Sequence, residues 1–144
     1  MVEYNLGKSS IEPSKKIEIF EVSRREEGNE TEVFIESREL LCSCPGTKQP
    51  DYYLCLIRYV PGRECIEKKS LELYLMTFRD EQHFAENLVH IIRDDLLKVV
   101  PSAKFLEVTL TQQIRGGIIT KVKAFPVVSD IQKLIKLGDM LCQS

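Results

Sequence analysis

Cys44 and Asp51 stand at the two ends of the run Cys44-Pro45-Gly46-Thr47-Lys48-Gln49-Pro50-Asp51. A thiol can attack an electrophilic carbon while a carboxylate supplies or receives the proton, the division of labour that nucleophilic catalysis needs. Pro45 and Pro50 each fix φ and remove a backbone donor, so the connection has few conformers. Taken alone, the same residues also fit a turn with a buried cysteine and a solvated aspartate, because free Cys is among the most buried residue types. Chemistry at Cys44 further requires an activator, since a thiol near its ordinary pKa of ~8.5 is only slightly ionised at neutral pH.

The remaining thiols offer no competing site. The five cysteines, at 42, 44, 55, 65 and 142, are odd in number and without a repeated spacing. That points to free thiols in a reducing compartment. Cys42 and Cys44 lack a second Cys or His pair at ligand spacing, and His83 and His90 lie well downstream, so no metal is expected. Cys55, within the apolar run from Tyr52 to Val60, reads as a small core residue. A net charge of −2 gives no electrostatic reason to expect nucleic acid. No apolar run approaches the ~20 residues of a membrane span, and the first residues lack the order of a signal peptide, so a cytoplasmic protein is expected.

The elements that position the loop follow from periodicity. Residues 1 to 30 are polar and charged and read as an arm or loosely held strand; a single folded domain is expected over 31–125, followed by a helical tail over 126–144. Thr31 to Ser37 alternates weakly. Tyr52 to Val60, apolar on nearly both faces, fits a buried strand that Pro61-Gly62 closes. Leu71, Tyr74, Leu75 and Phe78 recur at helical spacing. Asp80 is the expected N-cap of a second helix whose apolar face is Phe84, Leu88, Ile91, Ile92, Leu96 and Val99, stopped by Pro101. Phe105 to Thr111 and Ile118 to Ala124 are expected to pair as a hairpin around Gly116-Gly117. Ser129 or Asp130 is placed to cap a final helix through Leu141. The order strand, strand, helix, helix, strand, strand predicts an α+β domain with the helices on one face of an antiparallel sheet.

Downstream of the Cys loop lie Glu67-Lys68-Lys69-Ser70-Leu71-Glu72-Leu73-Tyr74, then Phe78-Arg79, Phe84-Ala85-Glu86 and Arg115-Gly116-Gly117-Ile118. In this order and at these separations they resemble the QueF family of nitrile reductases, which reduce 7-cyano-7-deazaguanine in queuosine biosynthesis. The resemblance runs over roughly residues 31 to 124. It implies the tunnelling fold, in which such units assemble side by side into a barrel of strands, as a homo-oligomer, a decamer of two pentamers. It implies NADPH as cofactor and a deazapurine nitrile as substrate. By position, Cys44 corresponds to the nucleophile that forms a covalent thioimide and Asp51 to the proton donor. Glu86 corresponds to the glutamate that holds the purine-like base, Ala85 stands beside it, and Ile66, Glu67 and Lys68 fall in a second substrate-contacting segment. Lys68, Lys69, Ser70 and Arg115 fall in the cofactor motifs.

The chain departs from the family pattern at three places. Lys68 stands where serine or leucine is usual, Glu72 where a second lysine is usual, and Ala85 where a histidine is usual. A carboxylate in place of a lysine opposite a phosphate exchanges attraction for repulsion. Two other readings therefore accompany the reductase. One is a QueF-like amidinotransferase that adds ammonia to a nitrile already attached to transfer RNA. The other is a non-catalytic deazapurine-binding oligomer.

Overall fold

The computed structural model describes residues 12–22 and 30–124. The tail expected over 126–144, with its helix and Cys142, lies outside the described residues. Four antiparallel strands, β2 (Val33–Ser43), β3 (Pro50–Val60), β5 (Phe105–Gln112) and β6 (Lys121–Ala124), form a sheet in the order β2-β3-β5-β6. The hairpin expected around Gly116-Gly117 is present, and both glycines hold positive φ, 58° and 78°, which L side chains rarely adopt. Helices α1 (Lys68–Met76) and α2 (Ala85–Val99) follow β3 through a short strand β4 (Glu64–Ile66).

The β2–β3 hairpin is longer than periodicity predicts, and a bulge is the reason. The pairing shifts between Ser37, opposite Cys55, and Leu40, opposite Tyr53, so Arg38 and Glu39 together face Leu54. Two residues against one reverse the inward parity of the strand. Val33 and Ile35 pack against the core before the shift, while Leu40 and Cys42 are buried after it. This reversal breaks the alternation beyond Ser37. On β3 the inward residues are Asp51, Tyr53, Cys55, Ile57 and Tyr59, all buried, whereas Tyr52 is 48% exposed. The strand is thus buried on one face, not on two.

The second helix begins later than expected. Asp80 closes a 3-10 turn over Thr77–Asp80, and the N-cap of α2 is Phe84, which offers no side-chain hydrogen bond and is half exposed. Leu88, Val89, Ile92 and Leu96 form the buried face of α2, and Tyr74 on α1 donates to Asp95 on α2 at 2.6 Å. Phe78, expected as the last turn of α1, is buried in the 3-10 turn instead. Part of the N-terminal segment is integrated with the body. Strand β1 (Ile19–Glu21) pairs with β4, and Ile17 joins the core.

Candidate active site

The Cys loop is the turn of the β2–β3 hairpin, closed by Cys44 N–H donating to Gln49 O at 2.9 Å and Lys48 N–H to Cys44 O at 2.8 Å. Lys48 takes a positive φ of 57° to complete it. Cys42 and Asp51 are cross-strand partners at the base of the turn. The environments of the thiol and carboxylate reverse the simple turn reading. Cys44 is only partly covered, and Asp51 is 6% exposed. The amide and hydroxyl of Thr47 and the amide of Gly46 favour the ionised form of Cys44 and pull its pKa below the ordinary thiol value. Burial pushes the neighbouring Cys42 thiol up, and Cys55, wholly enclosed, is pushed up to about 12.

Arg115, in the β5–β6 turn at the same end of the sheet, completes the loop. Its Nη1 donates to Asp51 Oδ1 at 2.6 Å, and its Nη2 donates to Thr47 Oγ1 at 2.6 Å and also to Gln49 Oε1. The sequence motif placed Arg115 among cofactor residues; in the structure its guanidinium is engaged with the Cys loop. Thr47 and Gln49, which the sequence reading did not single out, are the loop's acceptors. A Thr and a Gln inside a turn carry no local signal for such a role. The signal lies 66 to 68 residues away, in the hairpin that delivers Arg115.

Glu86 is in the first turn of α2 and open to solvent. The preceding segment is tied to the end of β2: Ser43 N–H donates to Glu81 O at 3.0 Å and His83 N–H to Ser43 O at 3.2 Å. These bonds fix the start of α2 next to the residue preceding Cys44. Tyr53, inward on β3, is buried, and burial first and then nearby Asp51 raise the pKa of its phenol. Ala85, beside Glu86, is buried.

The residues from Ile66 to Ser70 form a separate group. Ile66 is buried, and its N–H donates to Tyr59 Oη at 3.0 Å. Glu67 caps α1, its two carboxylate oxygens accepting from Lys69 N at 2.8 Å and Ser70 N at 2.7 Å. Those amides hold its pKa below the ordinary carboxylate value. Ser70 is buried, accepts from Glu18 N at 2.8 Å and donates to Glu67 O at 2.9 Å, so its hydroxyl is already committed. Lys69 pairs with Glu72 at 3.6 Å. Lys68 lines a cleft of about 410 Å³ between the β2 bulge and α1, with Arg38, Glu72 and the apolar Ile35, Leu71 and Leu75. Glu36 and Glu39 line it as well, and Arg38 pairs with Glu36 at 3.5 Å, so its carboxylates outnumber its cations.

A sequence profile of the family described as QueF-like protein matches residues 50–126. An NADPH-dependent 7-cyano-7-deazaguanine reductase of Methylobacillus flagellatus is 40% identical over 115 residues, covering 80% of this chain and 81% of the relative. A protein of the same name from Anaeromyxobacter dehalogenans is 40% identical over 113 residues, covering 78% of this chain and 90% of that one. Among solved structures, the archaeosine synthase QueF-Like in the apo form superposes with a TM-score of 0.60 at 18% identity, covering 65% of this chain and 90% of that one. At that identity the likeness establishes the fold.

Proposed function

The chain belongs to the QueF-like protein family, and we propose that it is an NADPH-dependent reductase converting the nitrile of 7-cyano-7-deazaguanine to an aminomethyl group. The observation that supports this best is the pairing of a half-open thiol, Cys44, with a buried carboxylate, Asp51, on one hairpin turn. Cys44 attacks the nitrile carbon; a carbon–sulfur bond forms as one carbon–nitrogen π bond opens, and the nitrogen takes a proton delivered at Asp51. The product is a thioimide. Glu86 accepts hydrogen bonds from the ring N–H and exocyclic amine of the base, a pattern that a carboxylate matches in bidentate fashion. Lys68 would supply positive charge for a cofactor phosphate in a cleft it shares with the paired Arg38 and Glu36 and with Glu39 and Glu72. Two NADPH molecules bound in succession would each supply one hydride, which with protons would bring the carbon to the amine level and free the sulfur.

We place this reductase in the cytoplasm. The described cysteines are free thiols, as a reducing compartment favours, and among the described residues no helix is long and apolar enough to cross a membrane. We further assign it a homo-oligomeric ring. Among the described residues, strands β2 and β6 are the edges of the sheet, and a sheet edge is a ready surface for pairing with another copy.

The test is to mix the protein with 7-cyano-7-deazaguanine and NADPH, following nicotinamide absorbance and intact mass together. Oxidation of two equivalents of cofactor per base, with a covalent adduct in wild type that Cys44→Ala lacks, is the expected result. An adduct without cofactor oxidation overturns the reductase in favour of ammonia transfer. Binding without either signal overturns catalysis altogether.

A further inference from the structure

The terminal torsion of an aspartate is broad and roughly two-fold, so its carboxylate is aimed only where a partner holds it. Among the described residues, the donor that holds Asp51 is Arg115, whose Nη1 meets Oδ1 at 2.6 Å. That leaves the second carboxylate oxygen for other work. The guanidinium is itself fixed, because Nη2 donates to Thr47 Oγ1 at 2.6 Å and to Gln49 Oε1. Its donors form a rigid planar fork, so anchoring one nitrogen sets the direction of the other. The backbone behind it is anchored too. Arg115 and Ile118 exchange two hydrogen bonds of 3.1 Å across Gly116-Gly117, and Gln113 N–H donates to Tyr52 O at 2.9 Å, beside Asp51.

We propose that Arg115 is a positioning residue for proton transfer: it pins Asp51 by one oxygen and aims the other, with Thr47 and Gln49 as the anchors of the guanidinium. This rests on the reading of Cys44 as nucleophile and Asp51 as proton donor. In thioimide formation the free oxygen of Asp51 passes the thiol proton to the nitrile nitrogen. The sulfur–hydrogen bond breaks, a carbon–sulfur bond forms, one carbon–nitrogen π bond opens and a nitrogen–hydrogen bond closes, with Asp51 restored. Arg115 takes no part in these bonds. It holds the carboxylate and, through Thr47 and Gln49, the turn that carries Cys44, so that the two reacting groups are kept in one arrangement.

The test compares two probes of Cys44, 2-cyanopyrimidine and iodoacetamide, each followed by peptide mass. The first is a small nitrile that needs no base pocket. Iodoacetamide takes the same sulfur with iodide leaving and needs no proton delivered to nitrogen, so the ratio of the two rates cancels changes in thiol ionisation, exposure and loop order. Arg115→Met should lower that ratio about tenfold, part of the roughly 100- to 10,000-fold that a positioned proton donor contributes. Asp51→Asn should lower it further, and Arg115→Met added to Asp51→Asn should lower it no more, because Arg115 acts through Asp51. An unchanged ratio in Arg115→Met overturns the proposal, as does an equal fall in both backgrounds, or a wild type that iodoacetamide alkylates and 2-cyanopyrimidine does not. Where Arg115→Met fails to fold, Thr47→Val/Gln49→Leu frees Nη2 and leaves the Asp51 pair in place; its ratio should fall about threefold, and an unchanged ratio there overturns the proposal equally. A wild type and variants that follow this pattern with 2-cyanopyrimidine, in a protein that forms no adduct with 7-cyano-7-deazaguanine, would refute the reductase and leave the positioning role standing.

Discussion

Arg115 Nη1 lies 2.6 Å from Asp51 Oδ1, an ion pair between residues 64 positions apart in which the carboxylate is buried and the guanidinium one-third exposed. Taking such a carboxylate out of water is costly, and its partner offsets that cost only while both are present. Arg115→Met should therefore lower unfolding stability by about 2 kcal/mol, less than for a wholly buried pair because the arginine keeps solvent contact. Asp51→Asn in the Arg115→Met background should recover part of the loss. Urea unfolding reads both; equal midpoints for wild type and Arg115→Met would mean the pair adds nothing to the fold.

The described thiols should separate by reactivity. Donors at Thr47 and Gly46 lower the Cys44 pKa, so its alkylation should reach half its maximal rate below the ordinary thiol range near ~8.5. Cys42 and Cys55, raised by burial, should remain unmodified at neutral pH until the protein unfolds. Time-resolved peptide mapping at pH 7 distinguishes them, and labelling of Cys42 at the rate of Cys44 would contradict the assignment.

Glu67 should act as a helix cap whose contribution depends on pH. The Ser70 amide, followed by that of Lys69, lowers its folded-state pKa from the reference 4.5. The stabilisation is thus fully present above about 4.5 and is lost as pH falls through the lower folded value. Glu67→Ala should cost about 1 kcal/mol at pH 7, with the difference from wild type shrinking below pH 4. A gap that stays constant down to pH 3 would remove the carboxylate from the cap.

Ser70 ties the N-terminal segment to α1 through its bond from Glu18 N, reinforced by Lys15, which pairs with Glu81 at 2.7 Å and lies 3.6 Å from the centre of the Phe78 ring. Ser70→Ala leaves the Glu18 amide without that acceptor, at a cost of about 1 to 2 kcal/mol. Faster tryptic cleavage at Lys15 and Lys16 in the variant is expected. Unchanged cleavage would show that the β1–β4 pairing alone holds the segment.

The long elements were legible because their burial follows a single period. Leu106, Val108 and Leu110 alternate along β5, and Leu88, Ile92 and Leu96 recur along α2 at helical spacing. What the sequence hid was set by tertiary contact. The bulge at Arg38 and Glu39 reverses the face of β2, the three-residue β1 and β4 are too short to show a period, and Asp80, a good cap by type, is taken by a 3-10 turn. At the site, Cys44 and Asp51 were visible as types and spacing, but the clamp of Thr47, Gln49 and Asp51 by Arg115 depends on the β3–β5 register and on where the β5–β6 turn ends. No local window contains it.

Glu72 bears on the cofactor. It lines the same cleft as Lys68 and Arg38, and its carboxylate pairs with Lys69 rather than leaving that cation free. A unit charge contact at 4 Å amounts to ~4 kcal/mol at an effective dielectric near 20 but only ~1 in water. Both partners here are about half exposed, so the lower end applies. Glu72→Lys replaces repulsion of a phosphate by attraction and releases Lys69 as well. The Michaelis constant for NADPH should fall about three- to tenfold with little change in turnover, because the contact is made equally in ground and transition states. The gain should shrink with added salt, as screening of exposed charges requires. A Michaelis constant unchanged by Glu72→Lys would place the cofactor phosphates away from the α1 cleft and leave Lys68 without its assigned role.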